Sequence, residues 1–298
     1  CSAMNFRTSP RPRRSLLYVP GSTTRALEKA ATLDVDGLIL DLEDAVLPAA
    51  KQTARAAVLA AIAARRFGHR EVVIRVNGLD TEWGMADLRA AASSGADGIL
   101  LSKVESVDVL LKAADVLDES AAPVKVSLWS MAETPRGVLD MDDIARCTPR
   151  LAVIVMGTAD LGKALRIAAQ PGRAALIPAL AHCVLAARAA GLDILDGVYT
   201  NLADGSGFRA ECAQGRELGF DGKTLIHPGQ VDACNEIFGV SSDEAASAAE
   251  LIAAWESAAS AGAGVAVHKG QLVERLHVEA AQRQLALYRT IQDRTIQA

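Results

Sequence analysis

Two carboxylates, Glu133 and Asp160, are the chain's clearest candidates for chemistry. Each stands just past a short apolar run, in Trp129-Ser-Met-Ala-Glu-Thr-Pro135 and Val155-Met-Gly-Thr-Ala-Asp160. Mg²⁺ takes octahedral oxygen ligands and keeps several waters for a substrate to replace, so one or two carboxylates suffice to hold it. No Cys/His ligand set competes, which disfavours zinc. The alternative is local: either acid can cap the helix that follows it, and Pro135 fits the first turn of such a helix. Arg75 is the second candidate. At a strand end its planar fork can grip a carboxylate or an enolate oxygen. Against that stands a buried ion pair with Asp41, Glu43 or Asp44. These acids are too crowded to remain unpaired, so Glu43 and Asp44 are expected to work with Arg75, orienting it or a metal-bound water.

Lys103 has the amine for a Schiff base, but that role needs a depressed pKa, and its acidic surroundings argue for an ion-paired lysine. The turn Pro20-Gly-Ser-Thr-Thr-Arg25 lacks the Gly-Lys-Ser/Thr ending of a P-loop. A Gly-Ser turn that opens a helix can still meet an anion through its N–H groups. Arg25 and Lys29, one turn apart, then face either a substrate phosphate or solvent. His227, before Pro228, reads as a rim residue and His182 as a structural one; no Ser–His–Asp triad is evident.

Positioning these groups requires strands that end together. Eight short apolar runs read as strands: 16–19, 37–42, 72–76, 98–102, 124–129, 151–156, 194–200 and 222–226. Near-continuous apolar strands suit a parallel sheet covered on both faces. Between them lie Ala-rich helical segments such as 23–33, 49–65, 82–93, 107–119, 173–190 and 206–218. The alternation fits an α/β (β/α)₈ TIM barrel or a doubly wound sheet. A recurring Asp-Gly turn before a strand and a polar residue after it, at 33–41, 94–103 and 218–227, favours the barrel. Catalytic residues then gather at the strands' C-terminal ends: Asp41, Glu43 and Asp44; Arg75 and Asn77; Lys103 and Glu105; Ser130, Glu133 and Thr134; Thr158 and Asp160; Tyr199 and Asn201; His227. The expected divisions are a flexible arm over 1–12, the barrel over 13–240 and a C-terminal extension over 241–298 that folds as a lid. Within that extension, 242–260 reads as a helix capped by Ser241 or Ser242 with Glu244, 261–264 as a flexible joint, and 265–298 as a strand-like piece leading into a helix.

Composition excludes other classes. With 298 residues and 50% hydrophobic content the chain can bury a large core. A net charge of −5 speaks against nucleic acid, whose binders usually carry a basic face and a pI above ~9. The basic run Arg7–Arg14 reads as a solvated tail. No apolar run approaches the ~20 residues of a membrane span. Five scattered cysteines suggest no disulfide framework or zinc site. Cys1-Ser-Ala ahead of Met4 reads as a remnant of expression, no signal-peptide pattern is visible, and a reducing cytoplasm is the expected compartment.

Seven motifs in order give the chain a family likeness: Arg14-Ser-Leu-Leu-Tyr-Val-Pro-Gly-Ser22, Leu40-Asp-Leu-Glu-Asp-Ala-Val46, Arg75-Val-Asn-Gly78, Lys103-Val-Glu105, Glu133-Thr-Pro-Arg-Gly137, Gly157-Thr-Ala-Asp-Leu161 and Gly215 to Pro228. The chain resembles the HpcH/HpaI aldolase superfamily, in its citrate lyase β-subunit-like branch with the malyl-CoA and citramalyl-CoA lyases. The resemblance implies a Mg²⁺-dependent barrel, with Mn²⁺ as a substitute, that cleaves 3-hydroxy-acid CoA thioesters. It implies Glu133 and Asp160 as metal ligands, with Glu133 also beside the substrate. Arg75 would bind the substrate carboxylate and stabilise the enolate, while Arg25 and Lys29 would lie near CoA. Two departures are visible: Ala159 stands where Asn is common, and Lys269-Gly-Gln-Leu-Val-Glu274 places Glu274 where a lid Asp acts as acid/base from a neighbouring subunit. The longer arm of Glu274 argues against efficient thioester hydrolysis or a synthase-like reaction. A homotrimer or homohexamer is implied. Three alternatives stay open: a citrate lyase subunit served by an acyl-carrier protein, an aldolase on free 4-hydroxy-2-ketoacids, and a barrel that has lost catalysis.

Overall fold

Apolar, β-branched runs form the inner wall of the molecule. In the computed structural model, which describes residues 11–168 and 172–297, eight parallel strands close a barrel in chain order: β1 (Ser15–Pro20), β2 (Gly37–Asp41), β3 (Glu71–Val76), β4 (Gly98–Leu101), β5 (Ser127–Ala132), β6 (Leu151–Met156), β7 (Asp193–Asp196) and β8 (Gly222–Leu225). Closure is direct: Leu17 of β1 lies opposite both Leu38 of β2 and Leu225 of β8. The helices between and after the strands are α1 (Thr24–Ala30), α2 (Lys51–Ala63), α3 (Gly84–Ala92), α4 (Val107–Glu119), α5 (Pro135–Leu139), α6 (Met141–Arg146), α7 (Thr158–Ala164), α8 (Ile177–Ala190), α9 (Gly205–Leu218) and α10 (Val231–Phe238). This is the (β/α)₈ barrel expected from the sequence, and the doubly wound alternative falls away.

Side chains alternate between two cores, because successive residues of a strand face opposite ways. Leu16, Ile39, Val73, Leu100, Trp129 and Val153 fill the inside of the barrel. Leu17, Leu38, Ile74, Ile99, Leu128 and Ile154 pack outward against the helices. Trp129 is fully buried, and the glycine at 98 makes room for it: a Cβ there would lie 2.9 Å from its Nε1. The N-terminal end is plugged by Arg13. Its Nε and Nη2 reach Glu71 at 2.7 and 2.8 Å, Nη1 contacts Asp193, and the guanidinium covers Trp129 at 5.3 Å. Arg14 donates to Asp36 at 2.9 Å. The basic run is therefore no solvated tail at its C-terminal end; its last two arginines tie together the strand entrances. Residues 1–10, most of the expected arm, lie outside the described residues.

Most strand ends lie within one residue of expectation, and β5 and β7 differ by more. β5 begins at Ser127 rather than 124 and runs to Ala132. Val124 is 90% exposed, and Pro123 starts a turn in which Val126 N–H returns to its carbonyl at 2.9 Å. The true strand, Ser-Leu-Trp-Ser-Met-Ala, is less uniformly apolar than the run before it. β7 stops at Asp196 instead of continuing to 200; Asp196 Oδ1 accepts from its neighbour Gly197 N–H at 2.8 Å and ends the ladder. β4 stops at Leu101, before Ser102.

A second compact unit contains Gly239–Ala298. α11 (Ser242–Ser260) begins with the expected capping pair: Glu244 N–H donates to Ser241 Oγ at 3.2 Å, and Ser241 N–H to Glu244 Oε2 at 2.8 Å. β9 (Ala266–His268) and β10 (Gln271–Val273) form an antiparallel hairpin. Its two-residue turn, Lys269-Gly270, has φ of 48° and 77°, the doubly left-handed geometry that suits a tight hairpin. α12 (Arg275–Gln297) packs on α11, and Ala266, Val273 and Val278 form a small core with Trp255 against it.

Candidate active site

The strand alternation that sends Leu16, Ile39, Val73 and Met131 inward also sends Tyr18, Asp41, Arg75 and Glu133 inward, at the C-terminal mouth. Arg75 is 7% exposed. Its Nε and Nη2 donate to Asp41 Oδ1 and Oδ2 at 2.7 and 2.6 Å. Nη1 faces Glu43 Oε2 at 2.9 Å and Asp44 Oδ2 at 3.5 Å, and the Tyr18 ring covers the guanidinium at 4.8 Å. Burial works against its charge, but the hydrogen bond to Asp41 and the acids around it hold Arg75 above its ordinary pKa. The ion-pair alternative is thus real. Asp41 occupies the edge formed by Nε and Nη2, and Nη1 with the second N–H of Nη2 is left to meet a ligand.

Asp41 is itself fixed by N–H donors from Glu43 at 2.9 Å and Ala45 at 3.1 Å. Lys51 Nζ ties down the same loop through the carbonyls of Leu42 and Glu43, at 2.8 and 2.7 Å. Lys103 Nζ donates to Glu43 Oε1 at 2.9 Å, a bond that raises the lysine's pKa. A Schiff-base role is accordingly disfavoured, as its acidic setting suggested. Lys103 also has a left-handed backbone, φ 51°. That geometry, costly for a residue with a side chain, aims its N–H at Glu133 Oε1, 2.6 Å away.

Glu133 is 2% exposed, and burial, with Glu43 and Asp160 nearby, pushes its pKa up to about 7 against the Lys103 N–H and Arg75. Only glycine fits beside it: a Cβ on Gly157 would lie 2.3 Å from Glu133 Cβ and 2.7 Å from Oε2. Neither acid caps a helix. Thr134 caps α5, accepting from Gly137 N–H at 3.1 Å, and the cap position of α7 is Gly157, with Asp160 inside the first turn. Asp160 makes no side-chain hydrogen bond or ion pair with any described residue. The mouth therefore holds five acids, Asp41, Glu43, Asp44, Glu133 and Asp160, against Arg75, Lys103 and the adjoining Lys51. Hard oxygen donors with a surplus of negative charge fit a divalent cation. Among the described residues no group of three or more His, Cys, Asp or Glu is placed to hold a metal ion by itself.

Other expected residues are placed differently. Arg25 and Lys29 are exposed on α1. The turn before them is not an open anion cradle: Gly21 N–H is spent on Asp41 O at 2.9 Å and Thr23 N–H on Pro20 O at 3.1 Å. Any anion there is left to the two side chains. Ser130 lies between inward Trp129 and Met131, so it faces the helices and not the mouth. Asn77 is a brace, donating to Leu42 O at 2.9 Å. His227 Nδ1 accepts from Gly229 N–H at 3.0 Å, a capping role. Glu274 belongs to the second unit, exposed, with its N–H on His277 Nδ1 at 3.0 Å. A cavity of about 710 Å³ opens beside Thr158 and Ala159, lined by Arg173, Tyr199, Asp204 and Glu211. Its polar groups satisfy one another: Arg173 Nε reaches Gln214 at 2.8 Å and Tyr199 O–H reaches Asp204 at 2.8 Å. Glu133 and Arg75 do not line it, and we place the chemistry at the acid-rich mouth. Tyr18 is the residue that sequence reasoning missed. Its signal was parity, two residues beyond inward Leu16 and two before the Pro20-Gly21 turn.

A profile of the HpcH/HpaI aldolase/citrate lyase family matches residues 14–228. A (3S)-malyl-CoA thioesterase of Cereibacter sphaeroides is 49% identical over 92% of this chain and 94% of its own. The citrate lyase subunit beta of Escherichia coli is 34% identical over 92% of each. CitE from Mycobacterium tuberculosis, solved with magnesium, acetoacetate and coenzyme A, superposes with a TM-score of 0.74 at 25% identity, covering 95% of this chain and 99% of that one. Among the described residues no helix is long and apolar enough to cross a membrane.

Proposed function

We infer that this chain, which belongs to the HpcH/HpaI aldolase/citrate lyase family and is an enzyme of its citrate lyase β-subunit-like kind, is a magnesium-dependent carbon–carbon lyase. Its substrate is the CoA thioester of a 3-hydroxy acid of the citramalyl, malyl or citryl type, cut into an acyl-CoA and a 2-ketoacid. One observation carries this reading. Buried Glu133 has one oxygen held by the Lys103 N–H, its other beside Gly157, and unpartnered Asp160 nearby, on the same mouth as Arg75. We assign Glu133 and Asp160 as the ligands of Mg²⁺, with Mn²⁺ as the natural substitute. Magnesium bound there supplies a Lewis acid and a template for the oxygens of the hydroxy acid.

The residues of the chain do the rest. Asp41 pins the Arg75 fork so that Nη1 meets the negative charge that grows as the carbon–carbon bond breaks. Glu43, bonded to Lys103, holds Nη1 in place. Asp44, 60% exposed at its side chain, stands at the outer edge, where it can order water. Arg25 and Lys29 are assigned to the phosphates of CoA. Proton movement at the substrate hydroxyl is assigned, from the family resemblance, to Glu274, and the assembly to a homotrimer or homohexamer, which light scattering will test. Glu274→Ala should lower kcat by ~10²-fold, the smaller end of what a general acid–base group contributes, and leave Mg²⁺ affinity as it was.

Hydrolysis is a second reading, favoured by the relative named a malyl-CoA thioesterase at 49% identity, against the expectation drawn from Glu274. Incubating the isolated chain and Mg²⁺ with citramalyl-, malyl- and citryl-CoA separates the two. Lyase action releases a 2-ketoacid and no free thiol; hydrolysis releases free CoA and no ketoacid. Turnover only after an acyl-carrier protein is added would instead mark a subunit of a citrate lyase complex, the relation suggested by the Escherichia coli relative. No turnover of any thioester sinks the lyase reading.

A further inference from the structure

The mouth contains one hydrogen-bond donor that the scheme above does not use. Tyr18 leaves β1 on the inward face, packs against the inner core, and lays its ring over Arg75 at 4.8 Å. It is only half-buried, and its hydroxyl makes no hydrogen bond with any described residue. Here the nearest charged groups are Arg75, Asp41, Glu133 and Glu43. Asp41 and Glu133 are held by Arg75 and by backbone N–H groups, which leaves the hydroxyl unpaired among these groups on the inward face.

That face has to accept an anion although acids surround it. Arg75 can offer Nη1 and the second N–H of Nη2, because Asp41 holds the edge formed by Nε and Nη2. A further donor beside the guanidinium would add a bond to a carboxylate held there. A phenol suits the position because it donates without changing the balance of charge. Burial raises its pKa, with Asp41, Glu133 and Glu43 acting the same way against Arg75, which lowers it. Packing of the ring against Arg75 and the inner core holds the phenol oxygen in place.

We propose that Tyr18 is a substrate-binding residue whose hydroxyl donates to the carboxylate of the 2-ketoacid half, beside Arg75 Nη1. The proposal rests on the lyase reading for the identity of that half, and the test keeps the two apart. Tyr18→Phe retains the ring, its cover over Arg75 and its packing. Binding of pyruvate, oxaloacetate and glyoxylate is measured by calorimetry in saturating Mg²⁺, for wild type and variant, together with Mg²⁺ affinity alone, Tm and kcat/KM on thioesters. A hydrogen bond to a charged group corresponds to a roughly 10- to 100-fold change in binding. The expected result is a loss of that size in ketoacid affinity and in kcat/KM, with Mg²⁺ affinity and Tm unchanged. Ketoacid affinity within twofold of wild type overturns the proposal. So does an equal fall in Mg²⁺ affinity or Tm, which would make the residue merely structural. A wild-type chain that binds ketoacid but turns over no thioester strikes only the lyase reading, and the ratio of the two dissociation constants still decides Tyr18. A wild-type chain that binds no ketoacid overturns both.

Discussion

On the outer side of β7 and β8, Asp196 and Lys223 are completely buried and bonded to each other at 2.9 Å. Arg173 reaches Asp196 at 2.6 Å, and Glu211 reaches Lys223 at 2.7 Å. Two acids face two bases, and every charge has a partner. Across β1 to β6 the inward mouth is arranged otherwise, with five acids to Arg75, Lys103 and the adjoining Lys51, and with one acid, Asp160, that has no partner among the described residues. Burying charge is costly wherever it is done. The balanced cluster offsets that cost internally and braces the barrel against α8 and α9. The unbalanced one leaves a cost that a bound cation can relieve. Within one barrel, the balance of charge separates a brace from a site better than burial does, since Asp196 and Glu133 are both almost fully buried.

Paired substitutions test that distinction. At the mouth, Glu133→Gln or Asp160→Asn should cut turnover on the order of 10³-fold, the several kcal/mol that a metal ion contributes, and weaken Mg²⁺ binding in calorimetry. Circular dichroism and Tm should stay close to wild type. Full activity in the presence of a chelator would remove the metal assignment. At the brace the order reverses. Asp196→Ala leaves Lys223 and Arg173 with one acid between them and should cost about 3–5 kcal/mol of stability, read as a lowered denaturation midpoint. Mg²⁺ affinity of the folded fraction should be unchanged, and a fall in affinity without loss of stability would break the comparison. The smallest effect concerns Cys183 on α8, whose thiol burial pushes up to about 12. It stays protonated through the neutral range, so a thiolate-specific reagent at pH 8 should label it only as fast as the chain opens. Rapid labelling of the native protein would show α8 to be looser than its packing implies.

The repeating apolar runs announced the barrel because each strand is buried on both faces, and its side chains were almost all apolar. β5 was shifted by three residues since Val124, exposed after Pro123, looked more strand-like than Ser127 or Ser130. Glu133, Asp160 and Arg75 were legible as polar residues at strand ends. Their partners were harder to read. That Asp41 takes one edge of Arg75 depends on the register between β2 and β3, which places residues 41 and 75 side by side. Lys103 gave no hint of its left-handed backbone, because its N–H bond to Glu133 joins residues thirty positions apart. Tyr18 hid inside an apolar strand, where an aromatic ring ordinarily means packing. The brace of Asp196 and Lys223 was invisible for the same reason as the register: four residues from four different segments meet only when the barrel closes.

That closure has a consequence during synthesis. β1 carries the first residues of the barrel and β8 the last, and the seam between them pairs Leu17 with Leu225. Until the ribosome has delivered residue 225, β1 has an unsatisfied edge of N–H and C=O groups. At ~5–20 residues per second the intervening stretch takes tens of seconds to emerge. An open apolar edge that lasts so long invites pairing with other chains. The growing polypeptide is therefore most in need of chaperone protection before its final strand appears, and a ribosome stalled just short of residue 225 should hold the most aggregation-prone form of this protein.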